Sequence, residues 1–288
     1  DSFSEGYGDE FIESDKEYGI FNKAVQHDKN IFIFGRGGHG SIFTVLEYER
    51  CSYLLENFTS LKDFKKNIDG VTFVFYEGND LNNNLREIKK KSNKFIYYTR
   101  FYLPIFDYGR AKIYSFILNL KNIINKNNNF KNSKNIGLTY PISNSGVSLK
   151  IFPQAAALEL SQKELKLSIA ALESSIYKIK RLIPHSKDLK FIYIPSVASS
   201  YEFEGTLITQ SYKNQEFYIT TGDKNKKSSI KLRKIVAKIT QDHGWKFCDS
   251  TSDLKSITKM GQAVHGPKDW KHLNKIGYKV VFENYKNC

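Results

Sequence analysis

The chain contains no run of about eighteen or more apolar residues, so nothing in it reads as a membrane-spanning helix. Cysteine is nearly absent. Cys51, Cys248 and Cys288 are too few and too widely spaced for a disulfide framework or a zinc site, and they read as small core residues plus a terminal thiol. Arginine is scarce beside lysine, and no Cys/His finger, RNP-type aromatic motif or heptad with a basic region is present. The net charge of +14 therefore reads as a solvated, lysine-biased surface with short clusters such as "KKK" 89–91 and "KNKK" 224–227. A nucleic-acid partner is not expected, while an acidic polysaccharide stays open. No internal repeat and no clear linker interrupts the chain.

What is present is an ordinary globular composition, 40% hydrophobic and 26% charged, over 288 residues, enough for one large domain or two small ones. Short apolar runs recur at "NIFIF" 30–34, "VTFVFYE" 71–77, "KFIYIPS" 190–196 and "WKFCDS" 245–250. Near-continuous apolar runs suit strands of a parallel sheet covered on both faces. Helix candidates lie between them, over roughly 41–56, 81–91, 159–183, 229–243 and 274–286. In the strongest, Leu165, Ile169, Leu172, Ile176 and Ile179 recur at three- and four-residue steps behind a Ser161–Glu164 capping box. Strand and helix alternate, which predicts a doubly wound α/β domain. Residues 95–158 and 200–228 fit that rhythm poorly and read as excursions from the sheet.

A glycine cluster follows the first apolar run. Gly35, Gly37 and Gly40 spell G-x-G-x-x-G, but position 41 is Ser where a P-loop requires Lys. The acidic residue that a dinucleotide fold needs at the end of the next strand is also misplaced, since Glu56 falls on the helix candidate. A structural turn is the better reading of the glycines.

Ester hydrolysis needs an activated hydroxyl, an imidazole to take its proton, a carboxylate to orient that ring and donors for the oxyanion. Of six histidines, two are preceded within three residues by an aspartate. Asp242 and His243 are adjacent, so their side chains point apart. Asp269 and His272 stand three residues apart, close enough for one turn to join them, although D-x-x-H also reads as a polar loop before a terminal helix.

Four segments together resemble the SGNH (GDSL-type) esterase and acyl-hydrolase superfamily. "DSFSEG" supplies Asp1 and Ser2 of the first block, "GRGGHG" matches the second best at Gly38, and "EGND" supplies Gly78, Asn79 and Asp80 of the third. "DWKHLNKIGY" fits the D-x-x-H block, and the segments come in family order. The resemblance implies an α/β fold, a flavodoxin-like three-layer α/β/α sandwich with a mainly parallel sheet plus insertions. It treats 1–288 as a single domain whose first strand is missing, with 95–158 as an insertion, so the chain is expected to be a fragment.

The same resemblance makes Ser2 the nucleophile, His272 its general base and Asp269 the residue that orients the ring. The oxyanion hole would comprise the backbone N–H groups of Ser2 and Gly38 and the side chain of Asn79. No cofactor and no metal is implied. Glu77 stands where the third block usually has glycine; it either fills that space or lines the pocket. His39 reads as a rim or packing residue. The implied activity is a serine esterase removing an O-acyl group, such as acetyl, from a carbohydrate, and "FIYIPSVASSYEFEG" resembles a segment of polysaccharide-associated members. An O-acyltransferase using the same triad and a catalytically silent carbohydrate-binding protein are the alternatives. Partners are then an acyl ester on a polysaccharide or glycan. Location stays open: envelope or secreted given an upstream export signal, cytoplasmic otherwise.

Overall fold

The computed structural model describes residue 34 and residues 38–58, 63–91, 140–141, 148–149, 155–156, 159–203, 205–210, 217–266 and 271–288. The chain divides into two compact units. One comprises residues 1–87 and 139–288. The other comprises 88–138, of which the described part is the end of a helix.

In the first unit, seven strands and seven helices are described: α1 (Ser41–Phe58), β1 (Gly70–Tyr76), α2 (Asp80–Lys91, its end lying in the second unit), β2 (Tyr140–Pro141), β3 (Ser148–Leu149), α3 (Gln162–Leu182), β4 (Asp188–Ile194), α4 (Val197–Ser200), β5 (Thr206–Gln210), β6 (Phe217–Thr221), α5 (Gly222–Asp242), β7 (Lys246–Asp249), α6 (Thr251–Lys259) and α7 (Lys275–Asn287). β1, β4 and β7 form a parallel sheet with β4 in the middle. Gly70 to Tyr76 pair in step with Asp188 to Ile194, and Lys190 to Tyr193 with Lys246 to Asp249. β2–β3 and β5–β6 are separate antiparallel pairs. The protein is thus a mixed α/β structure around a small parallel sheet.

Side chains alternate across that sheet as the pleat requires. Phe73, Phe75, Phe191, Tyr193 and Trp245 join one core with Val45 and Tyr48 of α1, Leu172 and Ile176 of α3, and Leu232 and Val236 of α5. Tyr76, Ile192, Ile194 and Cys248 join another with Leu254 of α6 and Tyr278, Val281 and Phe282 of α7. Covered on both sides, Phe191 to Ile194 are wholly buried, which is why β4 reads as an uninterrupted apolar run.

Local signals act where expected in α3. The Ser161 side chain accepts from the Glu164 N–H, and Glu164 reaches back to Ser161, closing the capping box. Elsewhere the structure departs from the sequence reading. α5 starts at Gly222, well before 229, because Thr221 caps it by accepting from the Lys224 N–H. Residues 200–228, expected to be turn-rich, hold the β5–β6 hairpin, and α6 was not anticipated. The cysteine reading is also corrected. Cys248 and Cys288 form a disulfide across a separation of 40 residues, because β7 and α7 share one core. Residues 30–33 of the strand expected at 30–34 and most of the excursion at 95–158 lie outside the described residues, as does everything before Phe34. Among the described residues no helix is long and apolar enough to cross a membrane.

Candidate functional site

β1 delivers the "EGND" turn at its carboxyl end, where open α/β sheets place their ligand crevices. Glu77 points inward. Its Oε1 accepts from the Tyr193 hydroxyl at 2.7 Å and its Oε2 from the Ser196 N–H at 2.8 Å. The side chain is therefore a buried clamp tying the end of β1 to the end of β4 and to the turn that enters α4. Burial, reinforced by the charge of Glu77, holds the Tyr193 phenol well above the usual tyrosine range, so Tyr193 remains a donor.

Asp80 opens α2 and is fully buried. Its Oδ2 accepts from the Tyr76 N–H at 2.8 Å, while Oδ1 has no hydrogen bond partner. Desolvation raises its pKa to about 7, against the opposing effect of the Tyr76 bond. Asn79 lies between these two acids, half-buried, in the turn that joins β1 to α2. Its Oδ1 is buried and without a partner.

The glycine cluster meets this turn from the other side. Gly38 is exposed and has φ +75°, a left-handed conformation that a Cβ would disfavour. Two residues on, Gly40 lies so close to α2 that a Cβ would collide with Asn84. The first turn of α1 is bound by α2: Glu87 accepts from the N–H groups of Gly40 and Phe43, and Asn84 Oδ1 accepts from the Ser41 N–H and hydroxyl. Asn83 adds a bond of 3.5 Å to the His39 carbonyl. A helix N-terminus whose N–H groups already face a carboxylate offers no cradle to a phosphate. The nucleotide reading of the glycines therefore fails on structure as well as on sequence. His39 packs its ring against Phe43 with centroids 4.1 Å apart.

His272 is half-buried and precedes α7. The segment around it is fixed by its neighbours. Leu273 is wholly buried, and bridges antiparallel to His265. Asn274 Oδ1 caps α7 by accepting from the Ile276 and Gly277 N–H groups, while its Nδ2 donates to the carbonyls of Ala263 and Gly266. A Cβ on Gly277 would strike the Val264 carbonyl. Each of Leu273, Asn274 and Gly277 thus has a packing or capping reason to follow the histidine. Tyr201 supports the segment opposite, its hydroxyl accepting from the Val264 and His265 N–H groups.

The structure brings the Gly38 turn and the Asn79 turn together through α2, and sets Leu273 in the same core as Tyr76, three residues before Asn79. Ser2 and Asp269 lie outside the described residues. The Asp242–His243 pair is no dyad: Asp242 binds Lys238, and His243 faces Glu173 of α3. Among the described residues no cluster of His, Cys, Asp or Glu is arranged to hold a metal ion. No family model, no curated protein and no solved structure matches the chain. Sequence reasoning missed the roles of Tyr193, Ser196 and Asn274. Only Asn274 left a signal, its place two residues after His272 at the head of a periodic segment.

Proposed function

We propose that the chain is a serine esterase of the SGNH type, acting on an O-acyl ester of a carbohydrate. The observation that carries this reading is the junction at α2. It joins a glycine turn with left-handed backbone to an asparagine at the carboxyl end of a parallel strand, two segments remote in sequence. The helices on either side of β1, β4 and β7 support a three-layer, flavodoxin-like sandwich as the complete fold.

In this reading Ser2 attacks the ester carbonyl while His272 takes its proton, and Asp269 holds the imidazole. The Ser2 and Gly38 N–H groups and the Asn79 amide receive the oxyanion. His272 then returns the proton to the leaving alcohol, and water, activated by the same ring, releases the acid. Glu77 and Asp80 do not meet the substrate; they fix the turn that aims Asn79.

The test is hydrolysis of p-nitrophenyl acetate by the protein. Ser2→Ala and His272→Ala should each abolish turnover, and Asn79→Ala should lower kcat on the order of a hundred- to a thousandfold with little change in KM. Turnover unaffected by Ser2→Ala would overturn the assignment. Acyl transfer to an added oligosaccharide in place of water would make the enzyme an acyltransferase.

A further inference from the structure

α5 carries a row of charge that the proposed chemistry does not use. Lys224, Lys227, Lys231, Lys234 and Lys238 are all exposed and recur at alternating steps of three and four residues. At 3.6 residues per turn they fall within an arc of about 80° and run about 21 Å along the helix, roughly 5 Å apart. The opposite face, with Leu232, Val236 and Ile239, is buried in the core. Only Lys238 forms an ion pair, with Asp242; the other four have none among the described residues. One acid, Asp223, stands beside the row in the first turn.

The row has a direction. Near its start, Asn225 Nδ2 donates to the Ala198 carbonyl in α4, just after β4, and the Asn225 Oδ1 accepts from the Ala156 N–H. Near its end, Lys180 Nζ reaches the His243 carbonyl just before β7 begins. The lysines therefore run from the carboxyl edge of the sheet, where the Asn79 turn lies, toward the opposite edge.

We infer that this face of α5 is a docking track for an acidic polysaccharide, the substrate class of the esterase proposed above, on which reading the inference rests. Charge complementarity selects the partner. Duplex DNA presents a charge every about 1.7 Å of axis, denser than the row. Single-strand binders also offer rings for base stacking, and α5 contains no aromatic residue. An anionic bilayer is met by a plane of cations with apolar side chains to insert, whereas this is a single file whose large apolar neighbours, Ile230 and Ile235, are partly buried. A polymer with one carboxylate per sugar supplies widely spaced charges in one line. Lysines, as mobile point charges, suit such a chain without demanding a fixed fork geometry.

The test uses polygalacturonate, with neutral dextran, a single-stranded DNA oligonucleotide, a DNA duplex and phosphatidylserine vesicles as rival probes. The variant Lys224→Gln, Lys227→Gln, Lys231→Gln and Lys234→Gln is compared with an equally charged control changed to Gln at Lys163, Lys166, Lys187 and Lys279. The row variant should raise the Kd for polygalacturonate at least about tenfold and flatten its salt dependence, while the control moves it by less than about threefold. Equal losses in both variants, no binding of polygalacturonate, or tighter row-dependent binding of DNA or vesicles would each overturn the track. Hydrolysis of p-nitrophenyl acetate, a small neutral ester, separates the two readings. An inactive wild type with row-dependent binding intact would strike the esterase and leave the track. An active wild type whose polymer binding ignores the row would strike the track alone.

Discussion

The two faces of the parallel sheet are built by different means. On the aromatic face, Phe73 and Phe191 stack with centroids 5.3 Å apart and planes 3° from parallel, under the long helices α1, α3 and α5. Of those helices, α3 and α5 carry a periodic apolar stripe, whereas the apolar residues of α1 are spread round it and Tyr53 and Leu54 stay exposed. On the other face, Ile192, Ile194 and Cys248 meet the short α6, the terminal α7, and Val264 and Leu273. That side is held by contacts between residues distant in sequence, among them the Cys248–Cys288 disulfide and the Asn274 clamp. His272 directly precedes Leu273 of this second core. The lesson is that the segment after the proposed general base depends on tertiary devices, whereas α3 and α5 on the aromatic face are locally specified helices.

Three measurements break or sharpen this contrast. The largest effect is expected from Phe191→Ala, which removes a wholly buried ring at the centre of the aromatic face and should cost about 3–5 kcal/mol in denaturant unfolding. Next, Cys288→Ser removes the link between α7 and β7. From a closed loop of 40 residues the loss should be roughly 2–4 kcal/mol, with amide exchange rising first in α7 and not in α3. A loss spread equally over both faces would refute the division drawn here.

The third concerns Asp80. In the fold it keeps its proton up to about pH 7, whereas an unfolded aspartate releases it near about pH 4. Between those values the folded state binds more protons, so stability falls as pH rises through the window. Asp80→Asn, which preserves an acceptor for the Tyr76 N–H, should remove that decline, worth on the order of 3 kcal/mol at pH 7. An unchanged profile of unfolding midpoint against pH would refute it.

The sequence exposed the parts of the fold that local chemistry specifies. α3 was readable from its stripe and its Ser161–Glu164 box, and β1, β4 and β7 from apolar runs that double-sided burial produces. The β5–β6 hairpin was not, because its side chains mix polar and apolar types and its pairing depends on a partner strand rather than on a turn signature. Nor was the purpose of Glu77, since nothing between positions 77 and 193 indicates that its carboxylate will meet the Tyr193 hydroxyl. At the site, the sequence named Gly38, Asn79 and His272 as separate segments. Their positions in the fold follow from Asn83, Asn84 and Glu87 on one side and from Leu273 and Asn274 on the other.

By itself, the order of residues located α1, α2, α3, α7 and the parallel strands β1, β4 and β7, because capping, periodicity and backbone preference act within a few neighbours. It did not show the lysine row, because Lys224 and Lys227 stand before the helix expected at 229–243 and only its start at Gly222 places them on α5. Only the folded chain decided that Cys248 meets Cys288, that Glu87 occupies the N–H groups at the start of α1, and that Glu77 is a clamp. Each of those contacts joins groups brought within reach by packing of whole elements, and the entropy of closing such loops is offset by the common core rather than by anything near either partner.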